Sequence, residues 1–209
     1  MTANIKLMAE AREALEGRWG LAVATFFIYF LIVGGVESVP VLGGIGALII
    51  GGPMALGISI FSLKLARGEE ARVEQIFEGF QMFEKALGAY LLMVINVFLR
   101  LLLLIIPGII KGIAYSQVFF ILAEDDTIDS RGALKRSEEM MDGYKWKYFF
   151  LSLNFVGWGI LCLLTFGIGF LWLIPYVQVS YANFYDDLKG NDIVSSGMID
   201  DDILDRDLV

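Results

Sequence analysis

Two stretches of this 209-residue chain decide what it can fold into. Ala86–Ala123 is 38 residues long and carries only Arg100 and Lys111 as charges. Tyr148–Tyr185 is equally long and carries no Asp, Glu, Lys or Arg. At about 1.5 Å rise per residue, either stretch as a single helix would reach ~57 Å. The hydrocarbon core of a bilayer is only ~30 Å thick. Each stretch must therefore fold back near its middle, and breakers stand there: Pro107-Gly108 in the first, Gly167 and Gly169 in the second. Proline removes a backbone donor and glycine frees the backbone, so two tight helical hairpins are predicted.

The remaining apolar runs complete the pattern. Trp19–Val36 holds no charge, and Ser38–Leu63 is the next charge-free run, with Pro40 and Pro53 inside it. The chain is 57% hydrophobic, against about 45–50% for soluble domains. Its charges sit in blocks between the runs. The expected fold is all-α, a polytopic transmembrane bundle of about six spans. These lie near residues 19–37, 41–65, 86–106, 108–124, 147–166 and 168–186, within an integral membrane domain over 1–189. Segment 41–53 is open between a helix and a re-entrant loop, because unwound backbone survives at membrane depth only under protein or water. A cleaved leader is not expected, since Glu10, Glu13 and Glu16 precede the first run.

Charge gives the orientation. With six spans, 14 of the 16 Lys and Arg residues fall on one side, and only Arg100 and Lys111 lie elsewhere. The basic side is cytoplasmic by the positive-inside rule, which puts both termini in the cytoplasm of a multi-pass cytoplasmic-membrane protein. The net charge of −8 is mostly a property of residues 190–209 and the acids just before them. That acidic tail is expected to be disordered.

Each hairpin is preceded by a short amphipathic segment. In the middle one, Val73, Ile76, Phe77, Phe80, Phe83 and Leu87 fit one face of a 3.6-residue helix. The first is Asn4–Glu16, with Ile5, Met8 and Leu15 on one side; the third is Asp129–Asp142, with Leu134, Met141 and Tyr144 as anchors. Three repeats of cytoplasmic interfacial helix plus hairpin are expected, each roughly 60–65 residues. The stripe Val73, Ile76, Phe77, Phe80 and Phe83 is read first as a headgroup anchor and second as a lipid-facing or partner-binding face.

Four strings carry a family resemblance: FEGFQMFEKALGAYLLM, LLLLIIPGIIKGIAYSQVFFILAED, RSEEMMDGYKW and FLWLIPYVQVSYANFYDDL. The chain resembles the bacterial integral-membrane family catalogued as domain of unknown function 975, over roughly residues 5–189. The resemblance implies a multi-spanning cytoplasmic-membrane protein and brings no catalytic residues with it.

Charges inside spans are costly and mark sites. Arg100 has two readings: it snorkels to the outer headgroups, which is favoured, or it joins an ion pair. Glu37 is the one acid expected on the outer side, so a contact of Glu37 with Arg100 or Lys111 is the alternative. Asn96, one turn before Arg100, completes a candidate intramembrane polar site of Glu37, Asn96, Arg100 and Lys111. Gln117, Asn154, Gln178 and Asn183 are expected to bond between helices. Two ladders of small residues, Gly43, Ala47, Gly51 and Ala55, then Gly108 and Gly112, are candidates for helix packing.

Several chemistries are excluded by content. The chain has no histidine and one cysteine, Cys162, in an apolar run. His-based metal sites, Ser-His triads and an intrachain disulfide are thereby removed. The glycine-rich stretch 34–52 lacks the Lys-Ser/Thr of a P-loop. Glu124, Asp125, Asp126 and Asp129 lack calcium-loop spacing and read as a solvated run. No cofactor, metal or nucleic acid is expected. Expected partners are the lipid bilayer, then a membrane protein or a second copy of the chain. The leading function is a non-enzymatic membrane scaffold or accessory component. The alternative is a small transporter, channel or lipid-handling protein with a polar site near Arg100.

Overall fold

A computed structural model describes residues 2–39 and 42–195, and every regular element among them is helical. The order is α1 (Asn4–Leu15), α2 (Trp19–Glu37), α3 (Leu42–Ala66), a 3₁₀-helix (Val73–Met82) running directly into α4 (Phe83–Leu103), α5 (Ile105–Ala114), α6 (Val118–Glu124), α7 (Ser130–Met140), α8 (Lys145–Leu164) and α9 (Phe170–Ser195). Among the described residues, five stretches are long and apolar enough to cross a membrane: Trp19–Glu37, Gly43–Ala66, Val73–Leu103, Ile105–Glu124 and Lys145–Leu164. α9 lies where the sixth span was expected. It has the length, 26 residues, but holds Gln178, Asn183, Asp186 and Asp187 and is not among the five.

Both expected hairpins form. Between α8 and α9 the chain turns through residues 165–169, with Phe166 and Gly167 both at positive φ. The Thr165 hydroxyl accepts from the Gly169 amide at 3.1 Å and donates to the Cys162 carbonyl at 2.8 Å, closing the turn. Between α4 and α5 the break is Leu104, in extended conformation, rather than Pro107-Gly108. Pro107 instead occupies the first turn of α5, where its missing N–H costs no helical bond. Gly108 lets α5 lie close on α4: a Cβ there would stand 2.9 Å from the Leu101 Cα.

α3 is the hub. It is continuous through Pro53, so the described part of 41–53 is helical, and it touches α1, α2, the 3₁₀-helix, α4, α6 and α9. The closest approach is backbone to backbone. A Cβ on Gly57 would run into the Ile76 backbone, one on Gly79 into the Pro53 carbonyl, and one on Gly52 into the Ala86 carbonyl. The 3₁₀-helix and α4 thus run back along α3 as a continuous antiparallel partner. The middle amphipathic segment does not lie apart as an α-helical surface anchor. With three residues per turn, Phe77, Phe80 and Phe83 form one row and Ile76 and Gly79 another. Phe77 and Phe80 face outward, whereas Ile76 is fully buried on α3 and Val73 is half-buried.

The first amphipathic segment also differs in face, whereas the third buries its expected anchors Leu134 and Met141, with Tyr144 packed against the same cluster. In α1 it is Leu7, Ala11 and Leu15 that are buried, while Ile5 is 81% exposed. In α7 the buried row is Ala133, Leu134, Ser137 and Met140, followed by Met141. Asp129 caps α7, accepting from the Gly132 amide at 3.0 Å. Two clusters make the core. One joins α3, α6, α7, α8 and α9 around Leu122, Met141 and Phe184; the other joins α1, α2 and α3 around Phe26 and Phe61. The hairpin ends are the reverse, with Leu102, Leu103, Ile106, Leu164 and Phe166 exposed. α9 extends through residues 190–195, where the acidic tail was expected to begin, and the rest of that expectation, 196–209, lies outside the described residues.

The backbone contact makes a prediction. Gly57→Leu is expected to destabilise by about 1–3 kcal/mol or more through overpacking, whereas Gly112→Ala, which meets open space, should be near neutral. Thermal unfolding of the two variants in the same detergent reads the difference.

Candidate functional site

The α4–α5 hairpin carries the two charges that sequence reasoning singled out. The turn at Leu104 sets Arg100 on the last turn of α4 and Lys111 on the second half of α5. Lys111 forms an ion pair with Glu138 of α7 at 2.5 Å, and its side chain is 13% exposed. The ammonium also lies over the Tyr115 ring, 4.9 Å from its centroid, a cation–π contact. Burial by itself would raise the Glu138 carboxyl. Hydrogen bonds from Lys111 and Tyr115, with the charges of Lys111 and Arg100, hold it below the ordinary carboxylate range.

The alternative reading, a Glu37 contact with Arg100 or Lys111, is not what the structure holds. Glu37 stands exposed at the end of α2, and among the described residues it pairs with neither Lys111 nor Arg100. Lys111 is instead joined to the charged helix α7, so it belongs with the polar segments rather than apart from them. Arg100 is exposed and near enough to Glu138 and Tyr115 for its charge to act on both. The neighbouring amides do not converge on Arg100. Asn96 donates to the Leu92 carbonyl of its own helix at 2.8 Å. Gln117 donates to Ser116 at 2.7 Å, and Asn183 to the Leu7 carbonyl at 3.3 Å.

The small-residue ladders divide. Gly51 meets the Tyr90 ring and Gly43 meets the Glu37 backbone, while Ala47 and Ala55 are half-buried. Gly108 packs within its own hairpin and Gly112 packs on nothing within 4 Å.

A second polar cluster was not read as such from sequence. Arg67, just past α3, donates to Asp186 of α9 at 2.6 Å and also to Glu124 at the end of α6. Glu124 accepts further from Tyr185 at 2.7 Å and Lys189 at 2.8 Å. Glu124 is therefore the centre of an interhelical clasp, not part of a solvated run. The carboxylates raise the Arg67 guanidinium further above its already high range, Asp186 first. The next residue of α9, Asp187, accepts the Thr2 amide at 3.0 Å, the Thr2 hydroxyl at 2.8 Å and the Lys147 ammonium at 3.0 Å. Burial would raise Asp187, but these bonds and the Lys147 charge hold its carboxyl low. The start of the chain, α8 and α9 are thus tied at one carboxylate. The signal for both clusters was only a string of acids; their partners lie far away in sequence.

A groove of about 450 Å³ opens between α5 and the start of α8, walled by Ile106, Ile109, Ile110, Ile113 and Phe149. Lys145 and Trp146 line the same groove. Among the described residues, no cluster of His, Cys, Asp or Glu could hold a metal ion.

Residues 94–192 match the family described as "Protein of unknown function (DUF975)". The resemblance read from the residues is thus found over the second half of the chain. The string at 77–93, quoted for the same resemblance, lies outside the match. No curated protein and no solved structure matches the chain.

Two predictions follow from the polar contacts. Lys111→Met is expected to cost about 1–3 kcal/mol, less than the ~3–5 kcal/mol of breaking a fully buried pair, because Glu138 keeps contact with water. Lys111→Met with Glu138→Leu should recover most of that loss; strictly additive losses in unfolding measurements would show that the two are not coupled. Asp187 is low in the folded chain, so its tether is fully present above the unfolded value of about 3.9 and weakens as pH falls through the lower folded value. Amide protection over residues 2–7, taken relative to the intrinsic exchange rate at each pH, should be high at neutral pH and low below that window, and Asp187→Asn should lower it at neutral pH already.

Proposed function

We propose that this is a multi-pass protein of the bacterial cytoplasmic membrane, with about six spans and both ends in the cytoplasm. Its role is that of a non-enzymatic scaffold or accessory component that works through its lateral surface. The observation that carries this reading is where the structure places its cavity and its charges. The apolar groove is on the flank of the bundle, between α5 and α8, and the charged side chains tie helices to one another. Chemistry would need a nucleophile with a base or paired acids in a pocket. The sequence has no histidine, and Cys162 sits among apolar neighbours on α8.

The orientation rests on charge. The clasp of Arg67, Glu124, Asp186 and Lys189 and the Thr2–Asp187–Lys147 contact belong to segments rich in Lys and Arg, which the positive-inside rule assigns to the cytoplasm. α9 acts as the sixth span through its N-terminal half, with its polar half gathered into the cytoplasmic clasp. The same groove also favours a second reading, that the protein handles lipid. The partner would then be the bilayer itself rather than a membrane protein or a second copy.

Single cysteines in a Cys162→Ser background test the topology. Ser38, Leu103 and Ile168 should label with impermeant maleimide from outside the cell, and Gly190 only after permeabilisation. Labelling of Leu103 or Ile168 only from inside would overturn the six-span reading.

A further inference from the structure

We infer that the groove between α5 and α8 is a binding site for one acyl chain of an anionic phospholipid, with Lys145 holding the phosphate. The inference rests on the membrane reading above and goes beyond it by naming a ligand class and its contacts.

The floor and walls are hydrocarbon. Ile106, Ile109, Ile110 and Ile113 recur on α5 at helical spacing and present one face, which α8 meets with Phe149. The volume, about 450 Å³, falls inside the ~300–1,000 Å³ range of ligand sites. Ile106, Ile109 and Ile110 remain exposed beside the groove. An occupant could therefore slide in from the bilayer without any helix moving. A soluble ligand would have to cross lipid to reach it.

Charge complementarity chooses among lipids. Lys145 stands at the first position of α8 and is one-third exposed. It spends one of its three donors on Asp142 at 3.1 Å. Asp142 is itself mostly exposed, so a phosphate can share or replace it. α8 begins there without a side-chain cap, and the N-terminal end of a 20-residue helix attracts a phosphate through its free amides and dipole. Trp146 is 72% exposed beside Lys145, in the manner of an interfacial aromatic with an apolar body and a polar N–H. The polar features gather at the start of α8, and the isoleucines of α5 form the facing wall. That is the layout of a headgroup joined to a chain. Lys111, adjacent on α5, does not contribute, because it is committed to Glu138.

The test uses Trp146 as the reporter. The full-length chain carries Trp19→Phe, Trp158→Phe and Trp172→Phe and is reconstituted in phosphatidylcholine vesicles. Lipid with brominated acyl chains is then titrated in, either phosphatidylglycerol or phosphatidylcholine. The expected result is that half-maximal quenching of Trp146 needs at least about fivefold less brominated phosphatidylglycerol than brominated phosphatidylcholine. Lys145→Gln should bring that ratio to about one. Ile109→Trp fills the groove, so native mass spectrometry of this variant, prepared with the other tryptophans intact, should show the loss of a retained phosphatidylglycerol that the parent chain keeps. Equal quenching by the two lipids in the parent chain overturns the site, since that is what ordinary boundary lipid gives. Retention of phosphatidylglycerol by Ile109→Trp overturns its placement in the groove. Failure of the membrane reading is distinguishable, because the chain would then wash off the vesicles in alkaline carbonate before any titration.

Discussion

The structure depends on the contact between α3 and the chain that returns along it. Gly52, Gly57 and Gly79 remove three side chains, and two backbones close onto each other where any Cβ would collide. Lipid tails are as apolar as the helices, so burial supplies little drive for helices to associate there; close packing of small residues supplies it instead. Once the 3₁₀-helix and α4 are held against α3, the direction of α4 is set. The turn at Leu104 then lays α5 on α4, and α6 comes back to α3. The remaining faces of α3 receive α1, α2 and α9.

Polar contacts do a different job. Arg67, Glu124, Asp186 and Lys189 join segments from the ends of α3, α6 and α9, and Asp187 joins the start of the chain to α8 and α9. Taking charges from water is costly, and their mutual attraction offsets that only when geometry is good and each group is satisfied. Glu124 meets this condition with three donors and Asp187 with its Thr2 and Lys147 contacts. The consequence is specificity of arrangement. The ends of α3, α6, α8 and α9 that carry these charges are held together, and the turns at Leu104 and at 165–169 are left apolar.

How much of this was legible in the sequence differs by feature. The hairpins were, because a 38-residue apolar run cannot be one span, and in the second run glycine sits at the break. The turn at Leu104 was not, because proline is equally at home at a break and in the first turn of the next helix. The 3₁₀ character of 73–82 was hidden, since hydrophobic positions three apart fit both a 3.0 and a 3.6 period over so short a stretch. The buried face of α1 was missed because Ala11, at its centre, signals burial weakly beside Ile5 and Met8. Charge inventory offered Glu37 as the alternative partner of Arg100 or Lys111, but inventory treats each loop as lying at one level. α7 instead packs along the hairpin and brings Glu138 to Lys111. Glu124 looked solvated because its three donors come from residues 67, 185 and 189.

The central claim is that the charged end of the bundle is in water and the apolar flanks of its helices are in hydrocarbon. Spin labels at Ile95 and Val156, both exposed near the middle of α4 and α8, compared with labels at Arg131 and Lys135, in the full-length chain in lipid vesicles, test it directly through collision rates with oxygen and with a water-soluble nickel chelate. Oxygen should dominate at Ile95 and Val156 and nickel at Arg131 and Lys135. Equal nickel accessibility at all four positions would contradict the account, because it would mean that the apolar helices do not enter the bilayer.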